Sequence, residues 1–133
     1  MIALDTNILV YSCDKRDPER RSRALRLIHN SAEGVLLWQV ACEFIAASRK
    51  LAGQGFTPLD AWEQLADFLV LFPLVLPSKL VLSQARELHV ESGWSFWDAM
   101  VVAACLEAGV TRLYTEDLPG RPVPGLEIVN PFM

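Results

Sequence analysis

Four acidic residues close or interrupt otherwise apolar stretches of the chain, where a charged side chain should be costly: Asp5, Glu43, Asp98 and Asp117. A carboxylate in apolar surroundings must be neutralised, hydrogen-bonded or bound to a cation. Several carboxylates that converge form a site for a hard divalent metal ion. The sequence therefore raises the question of whether the fold brings these four acids together.

Glu43 and Asp98 stand out because each is the only charged residue in a long apolar stretch with helical character. Glu43 is the only charge between positions 38 and 48, and Asp98 is the only charge between positions 95 and 106. An acid on a solvent-facing helix surface would normally have polar neighbours. Both residues are therefore interpreted as members of a site.

The elements that must position these acids follow from an alternation of short β-rich runs with longer helical patterns. This alternation is typical of βαβ units built around a parallel sheet. Asp5 ends the first predicted strand and Asp117 follows the fourth, so both are expected at the carboxyl edge of the sheet, where open α/β folds bind ligands. The predicted strands are Ile2 to Leu4, Val35 to Leu37, Leu74 to Leu76, Arg112 to Tyr114 and Glu127 to Val129.

Helix boundaries are marked by capping residues, prolines and glycines. Asp17 before Pro18 and Thr57 before Pro58 predict helix starts, and Thr57 with Asp60 matches a capping box. Predicted helix ends lie at Gly53, Gly55 and Gly109, and a turn-rich loop is expected over residues 119–125.

The helix predicted over residues 59–72 has two faces. Three of its acids are assigned to a solvated face and excluded from the site: Asp60, Glu63 and Asp67. Its apolar residues recur at helical spacing and are expected to face the core; they are Leu59, Trp62, Leu65, Ala66 and Leu69.

Local structure offers another explanation for three of the four site acids. Asp98 follows Ser95 by three residues, which matches a capping box. The turn over residues 5–7 could cap the next helix, and Asp117 could be a turn residue. Glu43 has no such local explanation, so the metal-site interpretation depends on the four acids taken together.

The length, hydrophobic content and cysteine pattern of the chain are typical of a compact globular domain. With 133 residues, 52% of them hydrophobic, the chain predicts one compact domain over residues 1–133. The three cysteines, Cys13, Cys42 and Cys105, form no C-x-x-C pair and are expected as core thiols in a reducing cytosol. No basic leader or membrane-spanning run is present in the sequence, so a cytoplasmic protein is expected, with neither secretion nor membrane insertion.

The net charge of −4 argues against a nucleic-acid partner, but the charge is unevenly distributed. Two interpretations of the basic segment near the N-terminus remain open, a solvated helix face and a phosphate-binding track. Its six basic residues are Lys15, Arg16, Arg20, Arg21, Arg23 and Arg26.

In order and spacing, five stretches of the chain resemble the PIN-domain nucleases, and specifically the small VapC-type toxins of bacterial and archaeal toxin-antitoxin pairs. The stretches are residues 2–11 (IALDTNILVY), 43–44 (EF), 95–99 (SFWDA), 113–118 (LYTEDL) and 130–132 (NPF). The resemblance covers essentially the whole chain. It implies a single PIN domain with an α/β fold, a three-layer α/β/α sandwich around a five-stranded parallel sheet.

The resemblance also implies that Asp5, Glu43, Asp98 and Asp117 hold Mg²⁺ or Mn²⁺ in an RNA-cleaving site. The implied partners are an RNA substrate, a cognate antitoxin of a type II toxin-antitoxin system and a second copy of the chain in a homodimer. Asp117 is preferred to Glu116 as the fourth acid because it fits the threonine-x-aspartate pattern of that family. Glu116 is kept as the reserve candidate.

The acids could support metal-dependent hydrolysis of an RNA phosphodiester. Mg²⁺ keeps several waters, so a few carboxylates can hold it beside a phosphate and an attacking water. Asp5 is expected as the central ligand, completed by Asp98 and Asp117, while Glu43 either ligates or accepts a proton. The predicted ends are a 5′-phosphate and a 3′-hydroxyl. Three neighbouring residues either orient a carboxylate or phosphate or simply cap a helix: Thr6, Asn7 and Thr115.

Rival hypotheses make different predictions. A haloacid-dehalogenase-type phosphatase requires a second aspartate two positions after Asp5, where this chain has Asn7. A catalytically inert PIN-like module that binds RNA or protein would not be stabilised by metal. The large aromatics are expected mainly in the core, and any exposed one would suit an antitoxin groove or a dimer contact; they are Trp38, Trp62, Trp94, Phe96 and Trp97.

Overall fold

The computed structural model describes residues 1–118 and 120–133, so Pro119, the first residue of the predicted loop, lies outside the described residues. The strands are β1 (Ile2–Leu4), β2 (Gly34–Leu37), β3 (Leu74–Val75), β4 (Arg112–Tyr114) and β5 (Glu127–Val129). The helices are α1 (Thr6–Tyr11), α2 (Pro18–Asn30), α3 (Trp38–Ala47), α4 (Pro58–Leu71), α5 (Lys79–Val90) and α6 (Phe96–Ala108). A 3-10 helix, Ser48–Gln54, continues α3. All five predicted strands are confirmed to within one residue.

The strands form one parallel sheet in the order β3-β2-β1-β4-β5, which confirms the α/β prediction. Ala3 in β1 lies opposite Val35 on one side and Leu113 on the other. The chain builds outward from β1 to β3 and then returns to the other side of β1, so the strand order reverses between β1 and β4. Open α/β sheets bind ligands at such a switch point.

The helices fall into two groups: α1 packs against α2 and α3, and α3 packs against α4, while α5 packs on α6. Because parallel crossovers are right-handed, connections that run in opposite directions along the sheet place these groups on opposite faces. The layers enclose a core in which the largest fully buried side chains include Ile8, Leu9, Leu36, Phe44, Phe68 and Leu113. No helix in the described ranges is both long enough and apolar enough to cross a membrane.

The predicted helix caps are present. The Asp17 side chain accepts a hydrogen bond from the backbone N–H of Arg20, and Thr57 forms a complete capping box with Asp60. Gly109 ends α6 with a φ of 76°, a left-handed conformation that favours glycine. Gly55 ends the 3-10 helix in the same way, whereas the predicted end at Gly53 is wrong because that residue lies within the 3-10 helix.

The prediction for the core face of α4 was partly wrong. Ala61, Leu65 and Phe68 are buried, whereas Leu59 and Trp62 are 66% and 58% exposed. Two neighbouring lines of apolar residues run along this helix at helical spacing, and periodicity alone cannot decide which of them faces the sheet. The other line, which also includes the exposed Leu69, therefore forms an apolar surface on the outside of the protein.

Most of the large aromatics and one cysteine also lie outside the core, contrary to prediction. Trp94 is buried, but the other four aromatics, Trp38, Trp62, Phe96 and Trp97, are exposed. All three cysteines are free thiols; Cys105 is buried, Cys13 is half-buried and Cys42 is exposed. Burial raises the pKa of the Cys105 thiol to about 12, so this thiol is protonated at neutral pH.

Candidate active site

Asp5 is buried where β1 meets α1, and its two carboxylate oxygens have different partners. Oδ1 accepts a 2.8 Å hydrogen bond from the backbone N–H of Thr6, and Oδ2 accepts one of 2.8 Å from the Thr115 hydroxyl. Burial raises the pKa of Asp5, the two hydrogen bonds oppose that rise, and the nearby charges of Glu43 and Asp117 add to it. Asp5 thus caps α1 and also lies within a group of like charges.

The segment that follows β4 brings Asp117 towards Asp5 through the hydroxyl of Thr115. This hydroxyl donates to Asp5 and accepts hydrogen bonds from the backbone N–H of Asp117 at 3.2 Å and from Asn7 Nδ2 at 3.1 Å. Asn7 Nδ2 is also 3.1 Å from Asp117 Oδ2. Residues at the ends of two adjacent strands are therefore joined in one hydrogen-bond network.

Glu43 reaches the same edge of the sheet from the middle of α3. Its Oε2 accepts a 3.0 Å hydrogen bond from the Thr6 hydroxyl, and its Oε1 accepts one of 2.7 Å from Gln39 Nε2. Gln39 Nε2 is also 3.3 Å from the backbone oxygen of Trp97, so it connects α3 to the start of α6. Sequence reasoning missed Gln39, although its position four residues before Glu43 on a helix is the signal that could have found it.

Asp98 lies in the first turn of α6, where its backbone N–H donates to Ser95 Oγ at 3.4 Å. Half of the predicted capping box is therefore present. The reciprocal hydrogen bond, from the backbone N–H of Ser95 to the Asp98 carboxylate, is absent among the described residues. The carboxylate instead lines a cleft at the edge of the sheet.

All four predicted site acids line this one cleft, which has a volume of about 120 Å³ and which we call the acid cleft. Its lining residues are Asp5, Thr6, Asn7, Gln39, Glu43, Trp97, Asp98, Val101 and Asp117. The cleft opens at the carboxyl ends of β1 and β4, which is the switch point of the sheet. The fold therefore brings together acids that lie as far apart in the sequence as positions 5 and 117.

Glu116, the reserve candidate, points to a different set of partners. It accepts hydrogen bonds from Arg20 Nη2 at 2.9 Å and from the Tyr11 hydroxyl at 2.6 Å. The hydrogen bond to this carboxylate raises the pKa of Tyr11 to about 12. The Arg20 guanidinium also lies 5.5 Å from the ring centres of Tyr11 and Phe132. Glu116 is already paired with a cation and does not line the acid cleft, whereas Asp117 does.

The donor chemistry of the acid cleft fits Mg²⁺ or Mn²⁺. These ions prefer carboxylate oxygens, and Mg²⁺ usually keeps several waters and takes only one or two carboxylates from the protein. Within residues 1–118 and 120–133, no group of three or more His, Cys, Asp or Glu side chains is arranged as the ligand set of a metal ion. The arrangement therefore suits a partly hydrated ion better than a closed protein cage.

The chain belongs to the class of open parallel α/β proteins, which bind ligands at the switch point of the sheet, and here four carboxylates line the cleft at that point. Comparison with protein-family models identifies the family, because the model for the PIN domain matches residues 2–118. The chain belongs to the PIN domain family, as its motifs predicted.

Solved structures with similar folds extend the comparison. One, a toxin-antitoxin complex from Klebsiella pneumoniae, has a TM-score of 0.67 with 20% identity over 98% of each chain. VapBC2 from Rickettsia felis, bound to a DNA fragment from its promoter, has a TM-score of 0.70, also with 20% identity over 98% of each chain.

A third structure is VapC20 of Mycobacterium tuberculosis, described as a sarcin-ricin loop cleaving toxin. Its TM-score is 0.69 with 20% identity over 88% of this chain and 90% of that one. No curated protein matches the sequence significantly. At this level of identity, the solved structures establish the fold that this chain shares.

Proposed function

We propose that this protein is a Mg²⁺- or Mn²⁺-dependent endoribonuclease that acts in the cytoplasm as the toxin of a type II toxin-antitoxin pair, with residues 1–133 forming a single PIN domain. The observation that carries the proposal is the convergence of Asp5, Glu43, Asp98 and Asp117 at one cleft in a PIN-family chain. Similar folds in toxin-antitoxin complexes and in an RNA-cleaving toxin support it.

Each acid has a separate role in the proposed reaction. Mg²⁺ or Mn²⁺ bound at this site would polarise the phosphodiester and lower the pKa of a water molecule. Asp5 presents carboxylate oxygens fixed by Thr6 and Thr115, so it serves as the central ligand. Asp98 and Asp117 complete the ligand set, directly or through water.

We assign Glu43 the role of proton acceptor. Its carboxylate is oriented by Thr6 and Gln39, which leaves it positioned at the cleft to accept a proton from the attacking water. Asn7 holds Asp117 and Thr115 in their relative positions. The oxygen of the attacking water would bond to phosphorus while the bond from phosphorus to the 3′-oxygen breaks and that oxygen takes a proton from solvent. The RNA 2′-hydroxyl takes no part, and the products carry 5′-phosphate and 3′-hydroxyl ends.

A groove beside the acid cleft supports the proposed protein partners. It has a volume of about 740 Å³, and its lining includes the exposed Trp38 and Trp97 together with Leu76 and Met100. Glu43 lines both the groove and the acid cleft. Exposed apolar surface of this kind is typical of protein interfaces, and we assign it to the cognate antitoxin or to a second copy in a homodimer.

Metal removal and restoration tests the proposed function. We expect EDTA to abolish RNA cleavage and Mg²⁺ or Mn²⁺ to restore it, because the acids alone repel the phosphate backbone. Added Mg²⁺ should also raise the thermal unfolding temperature, since a ligand at 100 times its Kd adds about 2.7 kcal/mol of stability.

Two outcomes would contradict this proposal. Cleavage that persists unchanged in EDTA would exclude the metal-dependent mechanism. An unfolding temperature that does not move at millimolar Mg²⁺, together with no cleavage, would instead identify the chain as an inert PIN-like binding module.

A further inference from the structure

A second cleft of about 580 Å³ adjoins the acid cleft. The two clefts share four lining residues, Thr6, Asn7, Glu43 and Asp117. A polymer with one phosphate in the acid cleft must continue into neighbouring space, and this second cleft offers a connected route.

Three of the six charged residues that line the second cleft are in ion pairs within the protein. Asp14 pairs with Arg16 at 3.1 Å, and Glu116 pairs with Arg20 at 2.9 Å. Lys50 also lines this cleft, is exposed, and forms no ion pair with any described residue. It is therefore a cation that remains available to a ligand in the cleft.

The basic segment near the N-terminus has fewer charges free to bind phosphate than its composition indicated. Arg16, Arg20 and Arg23 each form an ion pair with an acid of this chain. Arg20 in particular holds Glu116, so its charge is already used in the fold. Half of this segment is therefore neutralised, and Lys50 lies outside it.

The spacing between Glu43 and Lys50 along the helix indicates how far Lys50 lies from the acid cleft. Residues Glu43, Ala46, Ala47 and Lys50 have the spacing of one helix face, and all four line the second cleft. The two alanines leave open space between the carboxylate and the ammonium group. Four residues of α-helix followed by three of 3-10 helix correspond to about 12 Å along the axis, so Lys50 would contact a phosphate near the scissile one.

We infer that Lys50 binds a backbone phosphate of single-stranded RNA near the scissile bond, an inference that rests on the proposed nuclease function. Phosphate contacts of this kind set affinity and register without reading the base sequence. Loss of Lys50 should therefore weaken RNA binding equally for different sequences. It should raise KM while leaving kcat nearly unchanged.

The test measures the salt dependence of RNA binding. Binding of a fluorescein-labelled oligouridylate in Mg²⁺ is followed by anisotropy across a series of KCl concentrations, in a Glu43→Gln background that lacks the proposed proton acceptor but keeps the three acids proposed as metal ligands. Adding Lys50→Ala should weaken binding about fivefold and reduce the slope of log K against log salt by about 0.7, the loss of one single-strand phosphate contact. Lys50→Arg should retain the slope. Lys79→Ala removes an exposed lysine that lines neither cleft and should have no effect.

The outcomes separate this inference from the proposed function. Equal slopes for Lys50→Ala and Lys79→Ala, with wild-type protein still cleaving RNA, would overturn the phosphate subsite alone. Failure of the wild-type protein to cleave RNA in Mg²⁺ and of the Glu43→Gln protein to bind it would overturn the nuclease function and the subsite together.

Discussion

Asp5→Asn is expected to reduce RNA cleavage at least about a hundredfold, the scale of losing one preorganised electrostatic group at a reaction centre. Asn keeps the shape of the side chain and can still accept the hydrogen bond from the backbone N–H of Thr6. It removes the negative charge that the proposed metal requires. We expect the loss to appear in kcat, measured with saturating RNA and Mg²⁺.

The same substitution should leave the metal-free protein about as stable as wild type, because the hydrogen bond that Oδ2 accepts from the Thr115 hydroxyl is lost while an unfavourable charge is removed. Burial and the charges of Glu43 and Asp117 raise the pKa of Asp5 in the folded protein. A raised pKa means that folding disfavours the ionised carboxylate at neutral pH, so a neutral side chain removes an unfavourable contribution. Thermal unfolding without metal measures this, with Asp67→Asn, an exposed acid on α4, as the matched control. Full activity in Asp5→Asn, or a loss explained by unfolding, would contradict the central role of this residue.

Asp117→Asn and Glu116→Gln should have unequal effects although the two residues are adjacent. Asp117 lines the acid cleft and is bound by Asn7, so we expect its loss to lower cleavage at least about tenfold and to weaken stabilisation by Mg²⁺. Glu116 is paired with Arg20 at a partly exposed site, where such pairs contribute about 0–1 kcal/mol. Glu116→Gln should therefore retain most of the cleavage and the full response to Mg²⁺.

This comparison is made on purified proteins by measuring initial cleavage rates and unfolding temperatures over a Mg²⁺ series. A reversed order, with Glu116→Gln more damaging to both readouts, would identify Glu116 as the fourth acid. Equal and small effects from both substitutions would mean that neither side chain contributes to a metal site.

The architecture was predictable because local signals agreed with one another. Asp17 and Thr57 are capping residues that each precede a proline, and both begin helices in the structure. Short β-rich runs alternate with helices, and this pattern predicts a parallel sheet. That sheet placed Asp5 and Asp117 at one edge, where they lie.

The surface was less predictable, because the sequence pattern does not distinguish an apolar side chain that faces the core from one that faces a partner. Trp62 and Leu59 fit a core-facing line on α4, yet Ala61, Leu65 and Phe68 occupy the buried face. Trp38 and Trp97 are also exposed, beside the acid cleft. Which apolar face is buried depends on how elements meet in three dimensions, which a single pattern does not contain.

The surroundings of the acids could be predicted only in part, since some partners are distant in sequence. Arg20 reaches Glu116 across 96 positions, and this pairing distinguishes Glu116 from its neighbour Asp117. Gln39 and Lys50, by contrast, lie four residues before and seven residues after Glu43. Both could have been found by placing Glu43 on a helix and identifying the residues that share its face.

Sequencing the ends of RNA cleaved by purified protein distinguishes hydrolysis by water from attack by the 2′-hydroxyl. With Mg²⁺ present, we expect new 5′-phosphate and 3′-hydroxyl ends from the wild-type protein, at least about a hundredfold fewer from Asp5→Asn, and none from wild type in EDTA. Ends that carry a 2′,3′-cyclic phosphate, or equally many ends from Asp5→Asn, would contradict a ribonuclease site in which Asp5 and a divalent metal activate water.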